Sequence, residues 1–329
     1  MTPPAAPDPQ APAQSLTGRI TVDRLTKMFR GNVRAVDDLS FTVEPGSVTG
    51  FLGPNGAGKT TTLRIVLGLV RATSGTATVG GRPYRELRNP SSVVGAALES
   101  SSFHPARTAR NHLRVMCTVA GLPIRRADEM LDLVGLGPAR NRKVRGYSLG
   151  MRQRLGLAAA LLGDPRVLVL DEPANGLDPD GIRWLRGLLR YLADEGRTVL
   201  VSSHQLNEVQ EIADRVVILD RGRLVRAGAI DELTAGSDWV LVRTPAADQL
   251  QSTLTDVGVG GAVGVGGAVR LERLDAATLR VHGVPAAQIG HLAFRAGVEL
   301  HELSAHRSTL EELFFALTSA SGPRGGGPQ

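Results

Sequence analysis

The sequence predicts an α/β fold built on a mixed sheet, followed by a small α+β unit. Apolar runs over Arg166–Pro173 and Arg197–His204 are typical of strands that are buried on both faces of a parallel sheet. A glycine-rich loop, GPNGAGKTT over Gly53–Thr61, lies between the strand-like VTGFL and the helix-like GKTTTLRIVLGLV. The stretch Gly181–Gly196 has the apolar spacing of an amphipathic helix.

Alternating apolar and polar residues predict further strands before the glycine-rich loop. They cover Gly18–Phe29 and two runs on either side of a turn at Glu44–Ser47. After the loop, the sequence predicts a strand over Ser74–Gly81, an apolar run over Ser91–Ser100, mostly helix from Thr108 to Leu136 with a break at Gly121–Pro123, and a hairpin over Asp214–Gly228 with its turn at Arg221–Gly222.

Composition restricts the class of protein. Of the 329 residues, 42% are hydrophobic, which is enough for a packed core. The single cysteine, Cys117, has no partner for an internal disulfide, so we expect a reducing, cytosolic environment. We find no run of 18 apolar residues that would predict a membrane span, and the proline-rich start does not have the pattern of a secretory signal.

The positive charge does not by itself indicate a nucleic-acid partner. The net charge is +6 and the isoelectric point about 10.2. Only Lys27, Lys59 and Lys143 are lysines, and aromatic residues make up 4% of the chain, too few to predict a stacking platform for bases. An arginine-rich composition explains the charge, and no nucleic acid is expected as a partner.

The glycine-rich loop predicts a phosphate site. Gly53, Gly58, Lys59 and Thr60 match the pattern G-x-x-x-x-G-K-[ST], in which backbone N–H groups and the start of a helix surround phosphate oxygens. Lys59 is expected to bridge the terminal phosphates and the Thr60 hydroxyl to bind Mg²⁺. An ordinary glycine turn is the alternative. The remaining expected contacts of the loop are Pro54, Asn55, Gly56, Ala57 and Thr61.

A pair of carboxylates completes the predicted site. Asp171 and Glu172 directly follow the apolar run VLVL, and successive side chains at a strand end diverge. Asp171 is therefore expected to hold Mg²⁺, and Glu172 to orient and deprotonate the attacking water. A solvated acidic loop does not explain why two carboxylates directly follow four apolar residues.

From about Arg19 to Gly228 the chain resembles the ATP-binding-cassette (ABC) ATPases. The resemblance rests on an ordered set of motifs: the phosphate loop, the signature-like Ser148–Gln153, the pair Asp171–Glu172, the loop Gly176–Asp178, and His204 after the next strand. It implies a P-loop cassette that binds and hydrolyses ATP, with a mixed sheet core, an antiparallel β subdomain and a helical subdomain.

The resemblance also implies roles for individual residues. Two cassettes of the family pack head to tail, so Ser148 and Gly150 of one copy close over the ATP of the other, and Asp178 lies at the seam. Ser148 is expected to cap the helix that follows it. His204 would contact the terminal phosphate; by itself it reads as a satisfied strand-end histidine. Phe29 would stack under adenine, or belong to the core.

Three positions depart from the family pattern. The signature reads Tyr147, Leu149 and Met151 where leucine, glycine and glutamine are usual; Glu99 stands where a glutamine usually ends a strand; and Asn175 replaces serine or threonine. Glu99 is still expected to contact Mg²⁺ or water. Because it is charged, it does not necessarily take over the role that the glutamine has in the family. These departures, together with STLEELFFALT near the C-terminus, resemble the ATPase subunits of exporters of the bacitracin and daunorubicin type.

The resemblance and the composition together predict four segments. They are a flexible tail over 1–17, the nucleotide-binding domain over 18–236, a small α+β domain over 237–318 and a second flexible tail over 319–329. Within the α+β domain, the glycine-rich stretch Asp256–Val269 reads as a loop or a weak hairpin, and STLEELFFALT as a helix.

The function implied is the ATP-hydrolysing subunit of an exporter of a drug, antibiotic or lipid-like molecule. With one cassette, the chain needs a second copy and a separate polytopic membrane permease, which would hold it at the cytoplasmic face of the cell membrane. The alternatives are a soluble ABC-type ATPase that acts on ribosomes or nucleic acid, and a regulator that only binds ATP. The intact Lys59, Asp171, Glu172 and His204 argue against the latter.

Overall fold

The computed structural model describes residues 18–98, 103–234, 238–256, 270–306, 309–312 and 314. Its contacts divide the chain into Met1–Ala229 and Ile230–Gln329, so the short helix Ile230–Thr234 belongs with the second unit. Composition placed the boundary slightly later, between 236 and 237, and the predicted domain limits stay a prediction. The two tails, Glu99 and most of Asp256–Val269 lie outside the described residues.

The first unit contains nine strands and seven α-helices within the described residues. The strands are β1 Ile20–Phe29, β2 Val33–Val43, β3 Ser47–Leu52, β4 Ser74–Val79, β5 Val94–Ala97, β6 Val167–Asp171, β7 Thr198–Ser203, β8 Arg215–Asp220 and β9 Arg223–Ala229. The helices are α1 Lys59–Val66, α2 Pro90–Val93, α3 Ala109–Val119, α4 Arg125–Leu133, α5 Leu149–Leu161, α6 Pro179–Asp194 and α7 Leu206–Ile212. Short 3₁₀ turns occupy Tyr84–Glu86, Gly137–Ala139 and Val144–Gly146.

A six-stranded mixed sheet, in the order β5-β6-β7-β3-β8-β9, forms the centre of the first unit. Strands β5, β6, β7, β3 and β8 pair in parallel, and β9 returns antiparallel to β8. Every residue of β6 and β7 is buried, which confirms the predicted strands buried on both faces. Because parallel strands end at the same edge, the segments that follow β3, β6 and β7 meet there.

A three-stranded antiparallel sheet, in the order β2-β1-β4, forms the predicted β subdomain. Its apolar residues join those of the mixed sheet and of α1 in one hydrophobic core. The rings of Phe41 on β2 and Phe51 on β3 lie 5.1 Å apart between centroids, within the range of favourable aromatic pairs. The predicted mixed α/β cassette fold is therefore confirmed.

Helices α3, α4 and α5 form the helical subdomain. The predicted break at Gly121–Pro123 falls between α3 and α4, where Gly121 has a φ of +66°. The helix predicted to run through GKTTTLRIVLGLV is shorter than the pattern suggests. It ends at Val66, because Gly68 adopts a φ of +67°, the left-handed conformation that commonly ends a helix.

The second unit begins with α8 Ile230–Thr234 and is α+β. It continues with β10 Trp239–Arg243, α9 Ala247–Asp256, β11 Arg270–Arg273, β12 Thr278–His282, α10 Ala286–Arg295 and β13 Glu302–His306. The sheet order β11-β12-β10-β13, all antiparallel, and the order of elements after α8 are those of a split β-α-β unit. Only the start of STLEELFFALT is described, and it is helical at 310–312.

Among the described residues, no helix combines the length and the apolar character that a bilayer crossing requires.

Candidate active site

Two glycines of the phosphate loop have no room for a side chain, because backbone atoms of neighbouring strands lie against them. Gly53 has a φ of +155°, and a Cβ there would lie 2.5 Å from the carbonyl oxygen of Leu219 at the end of β8. Gly58 has a φ of +96°, and a Cβ there would collide with the carbonyl oxygen of Ala35 on β2. Gly56, in contrast, has open space around the missing Cβ. Two of the glycines therefore let the loop pass between β2 and β8, and the third leaves room in the cavity.

The loop borders a cavity of about 730 Å³, a volume within the range of small-molecule sites. The residues that line it are Phe29, Val33, Ala35, the loop residues 54–61, Leu149, Gln153, Asp171, Glu172 and Asn175. Phe29 is the last residue of β1, its side chain is partly exposed, and the Lys27 ammonium lies 4.9 Å from its ring centroid. With Val33 and Ala35 it provides an apolar region suited to a flat heterocycle.

Lys59 is held at the first turn of α1 with its ammonium against the loop. Only 7% of the residue is exposed, and Nζ donates hydrogen bonds to the carbonyl oxygens of Gly53 at 2.6 Å and Pro54 at 3.4 Å. The carboxylate oxygen Oε1 of Glu172 lies 3.6 Å from the same nitrogen. This buried cation and the N–H groups at the start of α1 give the loop the positive charge and the donors that an anion-binding site requires.

Thr60 and Asp171 meet although they come from different parts of the chain. Thr60 Oγ1 donates a hydrogen bond to Asp171 Oδ2 at 2.8 Å, and Asp171 ends β6 with only 4% of its surface exposed. A hydroxyl and a carboxylate that face one cavity beside a phosphate-binding loop are hard oxygen donors of the kind that Mg²⁺ takes with few protein ligands. The residues present therefore fit a magnesium ion.

Glu172 adopts an uncommon backbone conformation. Its φ is +50°, and its main-chain N–H donates to Ser202 Oγ at 3.0 Å. Its side chain reaches His204, with Oε2 at 2.9 Å from the imidazole Nδ1, while Oε1 faces Lys59. Gln153 Nε2 donates to the Glu172 carbonyl oxygen at 3.4 Å. Glu172 thus presents a carboxylate at the cavity wall, where it is able to accept a proton from a bound water.

Ser148 and Asp178, which are expected to lie near the ATP of a second copy, are each the N-cap of a helix. Ser148 is the N-cap of α5 and its Oγ accepts a hydrogen bond from the N–H of Met151 at 3.2 Å, which confirms the predicted cap. Asp178 caps α6 in the same way, with Oδ1 accepting from the N–H of Gly181 at 2.8 Å. Ser148 and Asp178 are exposed, and neither they, Gly150 nor His204 is among the residues that line the cavity.

Sequence reasoning missed Ser202 and assigned no role to Gln153. Ser202 lies in β7, is fully buried, and faces Asp171 across the strand pair. Its only sequence signal is a polar residue near the end of an apolar strand. The register between β6 and β7, which the sequence does not display, determines that this hydroxyl meets the carboxylate.

Comparison with known proteins agrees with this geometry. The family model described as ABC transporter matches residues 36–175, and a second, described as a domain of unknown function (DUF8746), matches residues 238–311. The bacitracin transport ATP-binding protein BcrA of Bacillus licheniformis is 42% identical over 214 residues, which cover 64% of this chain and 69% of that protein.

Similarity extends through the second unit in another relative. The daunorubicin resistance ATP-binding protein DrrA3 of Streptomyces coeruleorubidus is 35% identical over 311 residues, which cover 91% of this chain and 95% of that protein. Among solved structures, a dimeric bacterial ABC transporter cassette superposes with a TM-score of 0.59 at 23% identity, covering 64% of this chain and 98% of that one.

The fold of the first unit is that of these cassettes, and the family match over residues 36–175 includes the loop, Asp171 and Glu172. Together they show that this chain belongs to the ABC transporter family, as an ATP-binding subunit with ATPase activity.

Proposed function

We propose that the chain powers export of a drug, antibiotic or lipid-like molecule through a separate polytopic membrane permease. The observation that carries this proposal is the convergence of Lys59, Thr60, Asp171 and Glu172 on one cavity. The two relatives described above are named for bacitracin transport and daunorubicin resistance. The chain would then be attached to the cytoplasmic face of the membrane through the permease.

In this proposal each residue of the cavity has a distinct task. The loop N–H groups and Lys59 bind the phosphates of ATP, and Phe29 contacts adenine. Thr60 and Asp171 would hold Mg²⁺, which would supply positive charge beside the phosphate oxygens. Glu172 orients a water and accepts its proton, and His204 holds the Glu172 carboxylate while facing the terminal phosphate. The role of Glu99 beside Mg²⁺ or water belongs to the same proposal.

A second copy completes each site in this proposal. Ser148 and Gly150 lie at the start of α5, where the helix dipole is positive, and such a helix end favours an anion. Each chain already has one phosphate site at α1, so the exposed end of α5 is suited to the ATP bound by the other copy. Asp178 would then lie at the seam of a head-to-tail dimer, with ATP between the two chains.

A soluble ABC ATPase acting on ribosomes or nucleic acid is not favoured, because the relatives are named as transport and resistance proteins. Copurification separates the two functions. Tagged Glu172→Gln chain, which retains ATP, is expressed in its native cell and recovered from detergent-solubilised membranes with ATP and Mg²⁺. We expect a stoichiometric polytopic membrane protein, and little of it with Lys59→Ala, which does not hold ATP. Recovery with ribosomes or nucleic acid from the soluble fraction would overturn the exporter assignment.

A further inference from the structure

We infer that Ser202 is a positioning residue that holds Asp171 and Glu172 in their separate tasks. Ser202 lies opposite Asp171 in the parallel pair of β6 and β7, and none of its surface is exposed. Its hydroxyl donates a hydrogen bond to Asp171 Oδ1. The inference rests on the proposed roles of the two carboxylates, and it concerns how the chain itself arranges them.

The same hydroxyl also holds the backbone of Glu172. The Glu172 N–H donates to Ser202 Oγ at 3.0 Å and to the Ser202 carbonyl oxygen at 3.2 Å. A serine hydroxyl has one donor and two acceptor sites. Ser202 uses the donor for the Asp171 side chain and an acceptor for the Glu172 main chain, so one hydroxyl joins the two consecutive residues.

For Asp171, the consequence is a carboxylate held from both sides. Oδ1 accepts from Ser202 on β7, and Oδ2 accepts from Thr60 on α1. If Thr60 and Asp171 held a metal ion, the Ser202 hydrogen bond would still fix the orientation of the Asp171 carboxylate. Without the Ser202 hydroxyl, Oδ1 would be a nearly buried acceptor with no donor from β7, which favours rotation of the side chain.

For Glu172, the consequence is the direction of its side chain. A φ of +50° is uncommon for a residue other than glycine and persists only where neighbours hold it. The hydrogen bonds that the Glu172 N–H donates to Ser202 hold this conformation, which directs the carboxylate toward His204 and Lys59 rather than toward Thr60. Ser202 therefore separates a metal ligand from the neighbouring general base.

The test compares Ser202→Ala with Ser203→Ala in the full-length purified chain. Ser203 is the next residue, is also buried, and binds the N–H of Gln205 at 3.0 Å instead of either carboxylate. Four quantities are measured for each variant: kcat, the KM for ATP, the dissociation constant of a fluorescent ATP analogue with EDTA and with increasing Mg²⁺, and the unfolding midpoint.

We expect Ser202→Ala to lower kcat roughly 10- to 100-fold, since small displacements of catalytic groups carry costs of this size. Analogue binding in EDTA stays within about two-fold of the parent, because the loop and Lys59 are untouched, while the Mg²⁺ concentration that enhances binding rises several-fold. Ser203→Ala keeps the parent's kcat and Mg²⁺ response. Ser202→Thr retains the hydroxyl, so it should recover most of the kcat and of the Mg²⁺ response. This variant also provides the test if Ser202→Ala does not fold.

Two results would overturn the inference. One is a Ser202→Ala chain with the kcat and Mg²⁺ response of Ser203→Ala. The other is a loss in which kcat, metal-free binding and the unfolding midpoint fall together and Ser202→Thr restores none of them, which marks a structural role only. Since these assays use the chain alone, they remain informative if the chain copurifies with ribosomes instead of a permease.

Discussion

Thr60 donates a hydrogen bond to Asp171 over 2.8 Å although 111 positions separate the two residues in the chain. The contact forms because the loop over residues 53–58 joins the end of β3 to the start of α1, and β6 ends at the same edge of the parallel sheet. The glycine-rich loop and the Asp171 carboxylate, the proposed phosphate and metal sites, are thereby brought to one cavity by sheet topology rather than by sequence spacing.

Replacement of the loop lysine tests the phosphate site. In Lys59→Ala the cavity loses a buried cation that sits beside the start of α1, so we expect ATP affinity and turnover to fall at least about 100-fold. The measurements are ATP dissociation constants by calorimetry and phosphate release. Lys143→Ala, which removes an exposed lysine outside the cavity, is the control and should behave as the parent. Equal affinity in the two variants would contradict the assignment.

Removal of the negative charge of Glu172 tests the general base. Glu172→Gln keeps the size of the side chain but not its ability to accept a proton, so turnover should drop by about 10²- to 10⁴-fold while ATP still binds. Phosphate release and ATP retention are measured on the same preparation. Glu211→Gln, on the exposed face of α7, should leave both unchanged. If Glu172→Gln still turns over at the parent rate, another group is the base.

The proposed head-to-tail dimer predicts complementation between two inactive chains. Lys59→Ala damages the phosphate loop, and Ser148→Arg damages the helix end that faces the other copy in this proposal. In a mixed head-to-tail dimer both defects fall in one site and the other site is intact, so mixing restores part of the ATPase activity. If each chain instead completed its own site, the mixture would stay inactive. Each variant assayed alone gives the baseline.

The ion pairs of Asp128 on α4 predict that part of the free energy of unfolding is lost at acid pH. Hydrogen bonding from Arg110 lowers the pKa of Asp128, and Arg114 and Arg140 lower it further. Because the folded-state pKa lies below the unfolded value, the stabilisation is present above about pH 4 and is lost as the pH falls through the folded-state pKa.

We therefore expect Asp128→Asn to lower the free energy of unfolding by about 1 kcal/mol at pH 7, a partly solvent-screened value. The difference from the parent should shrink below pH 4, as measured by urea unfolding at a series of pH values. Asp132→Asn is the matched control, since its carboxylate is more exposed and, among the described residues, pairs with Arg140 alone, so this change should affect stability less. A pH-independent difference would show that lost packing, not charge, is the cause.

Much of the cassette was predictable from the sequence because its signals are local. The phosphate loop is one contiguous segment between a strand and a helix, and the buried strands β6 and β7 are continuous apolar runs. The cap at Ser148 was also predictable, since a cap depends on residues three positions apart. The domain limits and the roles of the site residues stay predictions, and Glu99 lies outside the described residues.

The sequence by itself determined the phosphate loop, the order of the motifs and the family, because each depends on neighbouring residues in the chain. Only the tertiary structure decided why Gly53 and Gly58 must be glycines, since the crowding carbonyl oxygens belong to Leu219 and Ala35. It also decided that Ser202 joins Asp171 and Glu172. The physical reason is strand register: pairing of β6 with β7 selects which side chains meet, and no local pattern in the chain encodes that choice.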